Sequence, residues 1–374
     1  MNRSVQLQPN VNAYLQLGRL AGLRGDPDLG KRHFQTALTQ GRQNPFTLLH
    51  VAYELLAMGE WELGWLAYEG RFHPEVATMP PRHVSLPRWD GNHHRTRTLL
   101  VWGEQGVGDE VFFLPLVREL REVGLECILE CEPRLTSLFA RSLPGVTVVD
   151  RKDPVDKRIY KSAVDVQLPA GSLARILRPS LSRCSKSVLS LLTPDPRLVE
   201  LFIRQDQRKP LGYRVGISWR SGNPTNGHRR SAPLEHWQPL FAIPGITWHS
   251  LQHGSEIEDL EIVERRFGVE VHQEPLLDHG RNLEALAARI ASLDLVISID
   301  NSTVHFAGGL GAPVWNLLST TADWRWLQDR VDSPWYPSMR VFRQRRRGDW
   351  RELMDRVAEE LTKKVQGYSS TAAA

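Results

Sequence analysis

Hydrophobic and polar positions change their rhythm twice along this chain. Up to residue 73 the pattern repeats itself. A shift of 34 places lays Leu15 on Leu49, Leu17 on Val51, Gly18 on Ala52, Gly25 on Gly59, Leu29 on Leu63, Gly30 on Gly64 and Phe34 on Tyr68. Residues 74–95 are rich in Pro, His and Arg and read as a linker. Beyond them, short apolar runs alternate with amphipathic stretches. Strands are predicted at 98–103, 126–131, 145–149 and 164–168, with helices at 109–123 and about 133–142. A helix at about 196–207 precedes a second series, with strands at 213–219, 246–251, 269–272, 294–299 and 312–318. Its helices fall at about 233–242, 256–267, 282–292 and 302–309. A last amphipathic helix, "DWRELMDRVAEELTKKV", closes the chain, with "SSTAAA" as a frayed tail.

Strand–helix alternation implies parallel sheets. The predicted fold class is therefore α/β: two Rossmann-like halves, 96–190 and 213–340, facing across a cleft. A connector at 191–212 joins them, and 341–374 forms a C-terminal helix and tail. Residues 1–73 form a preceding all-α region. Its spacing is the tetratricopeptide period, a helix-turn-helix with small residues where the two helices cross. Tyr14, Gly18, Gly30, Phe34 and Ala37 fall near the usual positions of such repeats. Two repeats bury little alone, so docking on the rest of the chain is expected; an unrelated pair of helical hairpins is the plainer alternative.

Composition narrows the partners. The chain has 374 residues, 41% hydrophobic and 24% charged, with a net charge of +4. That charge is small for the length and does not call for nucleic acid; the run Arg343–Arg347 reads as a solvated face or a tether. Three cysteines, Cys127, Cys131 and Cys184, make neither a disulfide framework nor a spaced zinc set. With no apolar leader and no long apolar span, the expectation is a cytoplasmic protein without a transmembrane segment.

Three loops carry candidate chemistry. In "VWGEQGVGDEVFF" an apolar strand stops at Gly106 and Gly108, and Asp109 opens an amphipathic helix. Open α/β sheets bind ligands at that end of a strand; a turn with an Asp cap is the competing explanation. In "DLVISIDNSTVHFAGGLGAPVWNLL" a strand ends in Asp300, and Asn301, Ser302 and Thr303 begin a helix, a ready anion site. His305 lies one turn further on, where its protonation near neutral pH would strengthen anion binding; a core histidine behind a capped helix is the plainer alternative. In "GISWRSGNPTNGHRRSAPLEHW", Trp219 and Asn223 follow a strand, and Arg229 and Arg230 are placed to neutralise a diphosphate. Gln252, in "SLQHG", ends the next strand at the height of a base or ribose.

Together "WGEQGVGDEVFF", "ISWRSGNP…RRSAPL", "SLQ", "SIDNSTVHFAGGLGAPVW", "DWRWL" and "SPWYPSMRVFRQ…GDW" resemble bacterial tetratricopeptide-repeat proteins with a heptosyltransferase-like glycosyltransferase domain. More distantly the layout is similar to O-GlcNAc transferase, which also joins repeats to a two-Rossmann enzyme, so the resemblance implies a GT-B architecture. The resemblance implies an inverting, metal-independent transfer from a nucleotide-diphosphate sugar to a glycan or protein acceptor, with no other cofactor. By resemblance Asp109 matches the catalytic aspartate, and Asp300 to His305 match the donor-sugar and diphosphate motif. The phosphate-holding lysine of heptosyltransferases has no clear match here, and Arg229 or Arg230 would substitute. Asn301 stands where threonine or glycine is frequent.

The residue types suit that chemistry. Inverting transfer needs a base for the acceptor hydroxyl, and cations or N–H groups for the departing diphosphate. The only Asp-x-Asp, Asp26-Pro27-Asp28, lies in a repeat turn, the wrong place for a nucleotide-bound metal. The alternative is a catalytically silent scaffold whose repeats recruit protein partners. A dehydrogenase is disfavoured, because no Gly-x-Gly-x-x-Gly follows a first strand.

Overall fold

A computed structural model describes residues 11–41, 44–77, 79–161, 163–184, 190–207, 212–254, 257–274, 281–328 and 330–372. Helices α1 (Val11–Leu23), α2 (Pro27–Gln40), α3 (Pro45–Ala57) and α4 (Trp61–Tyr68) form two hairpins. Asp26 and Asn44 cap the second and third, each accepting a backbone N–H three residues on, with proline at the first helical position. Gly18 is packed so closely on Phe34 that a Cβ there would sit 2.6 Å from its ring. A small residue thus sits where these two helices cross.

The first α/β half contains β1 (Thr98–Trp102), α5 (Val107–Glu122), β2 (Glu126–Cys131), α6 (Thr136–Ser142), β3 (Thr147–Asp150) and β4 (Val166–Pro169). Its parallel sheet has the order β3-β2-β1-β4. Helix α7 (Pro196–Asp206) leads into the second half: β5 (Tyr213–Ser218), β6 (Ile246–Ser250), α8 (Ile257–Phe267), β7 (Val271–His272), α9 (Leu283–Ala291), β8 (Leu295–Ile299), α10 (Ser302–Gly309), β9 (Val314–Leu318), β10 (Met339–Arg343) and α11 (Trp350–Ala372). That sheet is parallel in the order β10-β9-β8-β5-β6-β7.

Each sheet reverses its winding once, between β1 and β4 in the first and between β5 and β8 in the second. Crevices for ligands open at such switch points, outside the carboxyl ends of the strands. Helices α5 and α10, one from each half, pack against each other there. A Cβ on Gly108 would lie 3.1 Å from the His305 ring and 3.3 Å from the Ser302 backbone, so this glycine sets how closely the halves approach.

Several predicted elements differ in detail. β10 was not among the predicted strands: "MRVFR" carries two arginines, one exposed and one half-buried, and sits at the sheet edge. The predicted helix 233–242 breaks into a 3-10 turn and a single helical turn, because Pro239 has no N–H to continue it. The predicted helix 133–142 likewise opens with a 3-10 turn over Pro133–Leu135. The closing helix runs through to Ala372, where a frayed tail was expected. The start of the predicted helix at 256 lies outside the described residues.

The helical region shares the main hydrophobic core. Trp61 stacks on Trp335 at 5.1 Å, and Trp65 and Tyr68 meet Trp324 edge-on at 5.3 and 5.7 Å. These partners belong to the second half. On the other side, Trp65 Nε1 donates to the Arg178 carbonyl at 3.0 Å, and Arg71 pairs with buried Glu104 through Nε and Nη2, both at 2.7 Å. The predicted linker is also docked: Arg82 and His83 both bond the Glu130 carboxylate, and Trp89 N donates to the Gln167 carbonyl. Among the described residues no helix is long and apolar enough to cross a membrane.

Candidate active site

A cleft of about 720 Å³ opens where the two switch points face each other. Asp109, third residue of α5, enters it from the first half. Its Oδ2 accepts the Gly106 N–H at 3.0 Å, so the carboxylate reaches back to the helix start from the third helical position, while Gly106 and not Asp109 is the cap residue. Its Oδ1 accepts from Arg325 Nη2, across the cleft. The Asp109 side chain is about a quarter exposed, 24%, facing the cleft. Burial on its other sides raises its pKa, and Arg325 opposes that rise. Just before it, Gln105 takes a left-handed φ of 63° and donates through Nε2 to Tyr68 Oη at 2.6 Å.

The second half contributes the opposite wall. Asp300 Oδ1 accepts Trp326 Nε1 at 2.8 Å, and Oδ2 lies 3.4 Å from Arg230 Nη1. Arg230 also approaches Asp323 at 3.4 Å, and Asp323 in turn accepts Arg325 Nη1 at 2.7 Å. Three carboxylates therefore share two guanidiniums. Burial raises Asp300, with Arg230 opposing. Burial also acts to raise Asp323, but Arg325 and Arg230 outweigh it and hold its carboxyl below the ordinary range.

The anion cradle is narrower than the sequence suggests. Ser302, Asn301 and His305 line the cleft, whereas Thr303 is buried behind it. Asn301 Oδ1 already accepts the Thr303 N–H at 3.0 Å, and its Nδ2 donates to Ser218 Oγ at 2.7 Å. Asn301 is thus the helix cap, and its amide ties the start of α10 to the end of β5. His305 Nδ1 lies 3.0 Å from Tyr336 Oη, and its ring stacks on Trp326 at 5.2 Å. Burial, aided by Arg325 and Arg230, pushes His305 down to about 3. It is neutral at neutral pH, which corrects the expectation of a titrating cationic donor.

The remaining candidates divide. Gly106, Gly108, Asn223 and Arg230 line the cleft; Arg229 is exposed and does not. Trp219 is buried, with Nε1 donating to Asp259 at 3.0 Å. Gln252 is buried too: its Oε1 accepts the N–H groups of Trp219 and Arg220 at 3.0 and 2.8 Å, and its Nε2 donates to the Arg220 and His253 carbonyls. Both hold the β5 loop in shape and neither faces the cleft. Sequence reasoning missed Asp323, Arg325, Tyr53 and Tyr68, all of which line it. For Asp323 and Arg325 a signal existed: a capping Asp, then Arg two places on, between two tryptophans, in the loop that follows a predicted strand. Tyr53 and Tyr68 gave none, because their place in the cleft depends on docking. Among the described residues no three His, Cys, Asp or Glu side chains converge as a metal site.

No family model matches the sequence. The chain is 32% identical over 320 residues to Protein FlbA of Caulobacter vibrioides, a match covering 82% of this chain and 53% of that protein. The chain thus spans about half the length of this curated relative. The fold is shared with solved glycosyltransferases. A family 9 glycosyl transferase from Veillonella parvula superposes with a TM-score of 0.55 at 14% identity, covering 71% of this chain and 95% of that one. The ADP-heptose LPS heptosyltransferase II of E. coli gives 0.50 at 12% identity, covering 71% and 99%. The mixed α/β architecture with two parallel sheets is therefore that of these enzymes.

Proposed function

We propose that this chain is a glycosyltransferase that moves a sugar from a nucleotide-diphosphate donor to an acceptor hydroxyl, with inversion and without a metal. One observation carries the reading. Asp109 at the first switch point faces Asp300, the start of α10 and Arg230 at the second, across one cleft. In this reading Asp109 takes the proton from the acceptor hydroxyl as an oxocarbenium-like centre forms. Arg230 and the Ser302 end of α10 stabilise the departing diphosphate, with Asp300 accepting from sugar hydroxyls. Both guanidiniums are already shared among carboxylates, so the helix start carries much of the hold on phosphate.

The helical hairpins are read as tetratricopeptide-like repeats serving the acceptor, a glycan or a protein segment. Tyr53 and Tyr68 support this, since both come from the hairpins and line the cleft. The free thiols of Cys127, Cys131 and Cys184 fit a reducing cytoplasm. Thermal-shift titration with a panel of ADP-, GDP- and UDP-sugars tests the reading. At least one donor should raise the melting temperature by mass action; a flat panel would favour a silent scaffold.

A further inference from the structure

Arg325 belongs to the second half yet reaches a carboxylate of the first. It follows β9, in a 3-10 turn (Trp324–Trp326) capped by Asp323, whose Oδ1 accepts the Arg325 N–H at 3.1 Å. The guanidinium packs against two rings, 4.4 Å from Trp324 and 5.0 Å from Phe112, and is only 8% exposed. Nη1 is committed to Asp323 and Nη2 to Asp109, while Nε is buried without a hydrogen-bond partner. An arginine so fixed is not a solvated surface charge.

We propose that Arg325 is a positioning residue for the transfer reaction proposed above: it holds the Asp109 carboxylate ionised and aimed into the cleft, and because it comes from the opposite half, the base is competent only while the halves are closed on each other. The proposal rests on the transferase reading for its purpose, and on the ion pair for its geometry. The other groups facing Asp109 make the need clear. Asp323 and Glu104 are acidic and favour its protonation. Tyr53 and Tyr336 are neutral phenols, and His305 is a neutral imidazole. Arg325 is the cation in direct contact, and burial works against it. Removing it leaves a partly buried acid among acids, which then protonates at higher pH.

The test is the titration of Asp109 itself, by carbon-13 carboxyl NMR of aspartate-labelled protein, with the signal identified by its loss in Asp109→Asn. In Arg325→Gln the Asp109 midpoint should rise by about 1–3 pH units. In Arg325→Lys, which keeps the charge, it should rise less. Affinity for ADP and UDP should change little in either variant. Asp323→Asn reads the same balance from the other side: with the competing carboxylate neutralised, the midpoint should fall, and this variant serves if Arg325→Gln does not fold. An unmoved midpoint in these variants overturns the proposal. So does a large loss of ADP and UDP affinity without a shift, which would make Arg325 a phosphate ligand instead. Failure of the wild type to bind any of ADP, GDP and UDP would defeat the transferase reading, whatever the Asp109 midpoint does.

Discussion

His305 should impose a pH dependence on stability that can be isolated by substitution. In the folded protein its imidazole is pushed from 6.5 down to about 3 by burial and by Arg325 and Arg230. Between those values the unfolded chain binds a proton that the folded chain does not. Stability therefore falls as pH drops from 6.5 toward 3, by at most about 1.4 kcal/mol per pH unit. Integrated from pH 7 to pH 5, the loss attributable to His305 is about 2 kcal/mol. Glu110, raised to about 7 chiefly by burial, acts in the opposite sense, contributing stability that is lost as pH rises from 4.5 through 7. The raw slope of the wild type is thus a sum, and the comparison with His305→Asn isolates one part. Asparagine keeps a polar atom for Tyr336, and its packing cost is the same at both pH values. Urea unfolding at pH 5 and pH 7 should show the stability of the wild type relative to the variant falling by about 2 kcal/mol at the lower pH. A difference that stays constant would mean that His305 titrates normally, and that the enclosed site described here is wrong.

Arg71→Met should strand buried Glu104, whose carboxyl is held below its ordinary range by Arg71 despite burial; breaking such a pair costs about 3–5 kcal/mol, readable by denaturant unfolding. Trp61→Ala removes a ring stacked on Trp335 and should cost about 3–5 kcal/mol. By the same packing, deletion of residues 1–73 should yield poorly soluble protein, measured by size-exclusion chromatography, and not a free-standing donor-binding core. Chelator should leave transfer unchanged, and inhibition reversed by a divalent cation would remove the metal-free assignment.

Much of the fold was legible because apolar runs and turn glycines are local signals. β1, β5, β8 and β9 fall where the alternation predicts, and Asp109 and Asp300 stand just beyond two of them. What local pattern does not carry is contact between distant segments. Trp219 and Gln252 sit at strand ends as predicted, but their side chains turn inward to fasten a loop, which only the tertiary structure decides. Arg229 and Arg230 are adjacent in sequence and indistinguishable by composition; a single helical turn at Gly227–Arg230 sends one to solvent and the other to Asp300. His305 lines the cleft, but its charge state is set by burial, which local pattern does not carry. Arg325 was visible only within a quoted motif, and its role depends on Asp109, 216 positions away.

The central claim is that the cleft transfers sugar with Asp109 as base. Transfer of radiolabelled sugar from ADP-, GDP- and UDP-linked donors into acceptors of a cell lysate, measured for wild type and Asp109→Asn alongside donor affinity, addresses it most directly. The account predicts that at least one donor labels an acceptor with the wild type, while Asp109→Asn binds that donor about as well and transfers roughly a hundredfold more slowly or worse. Transfer by Asp109→Asn at the wild-type rate would contradict it.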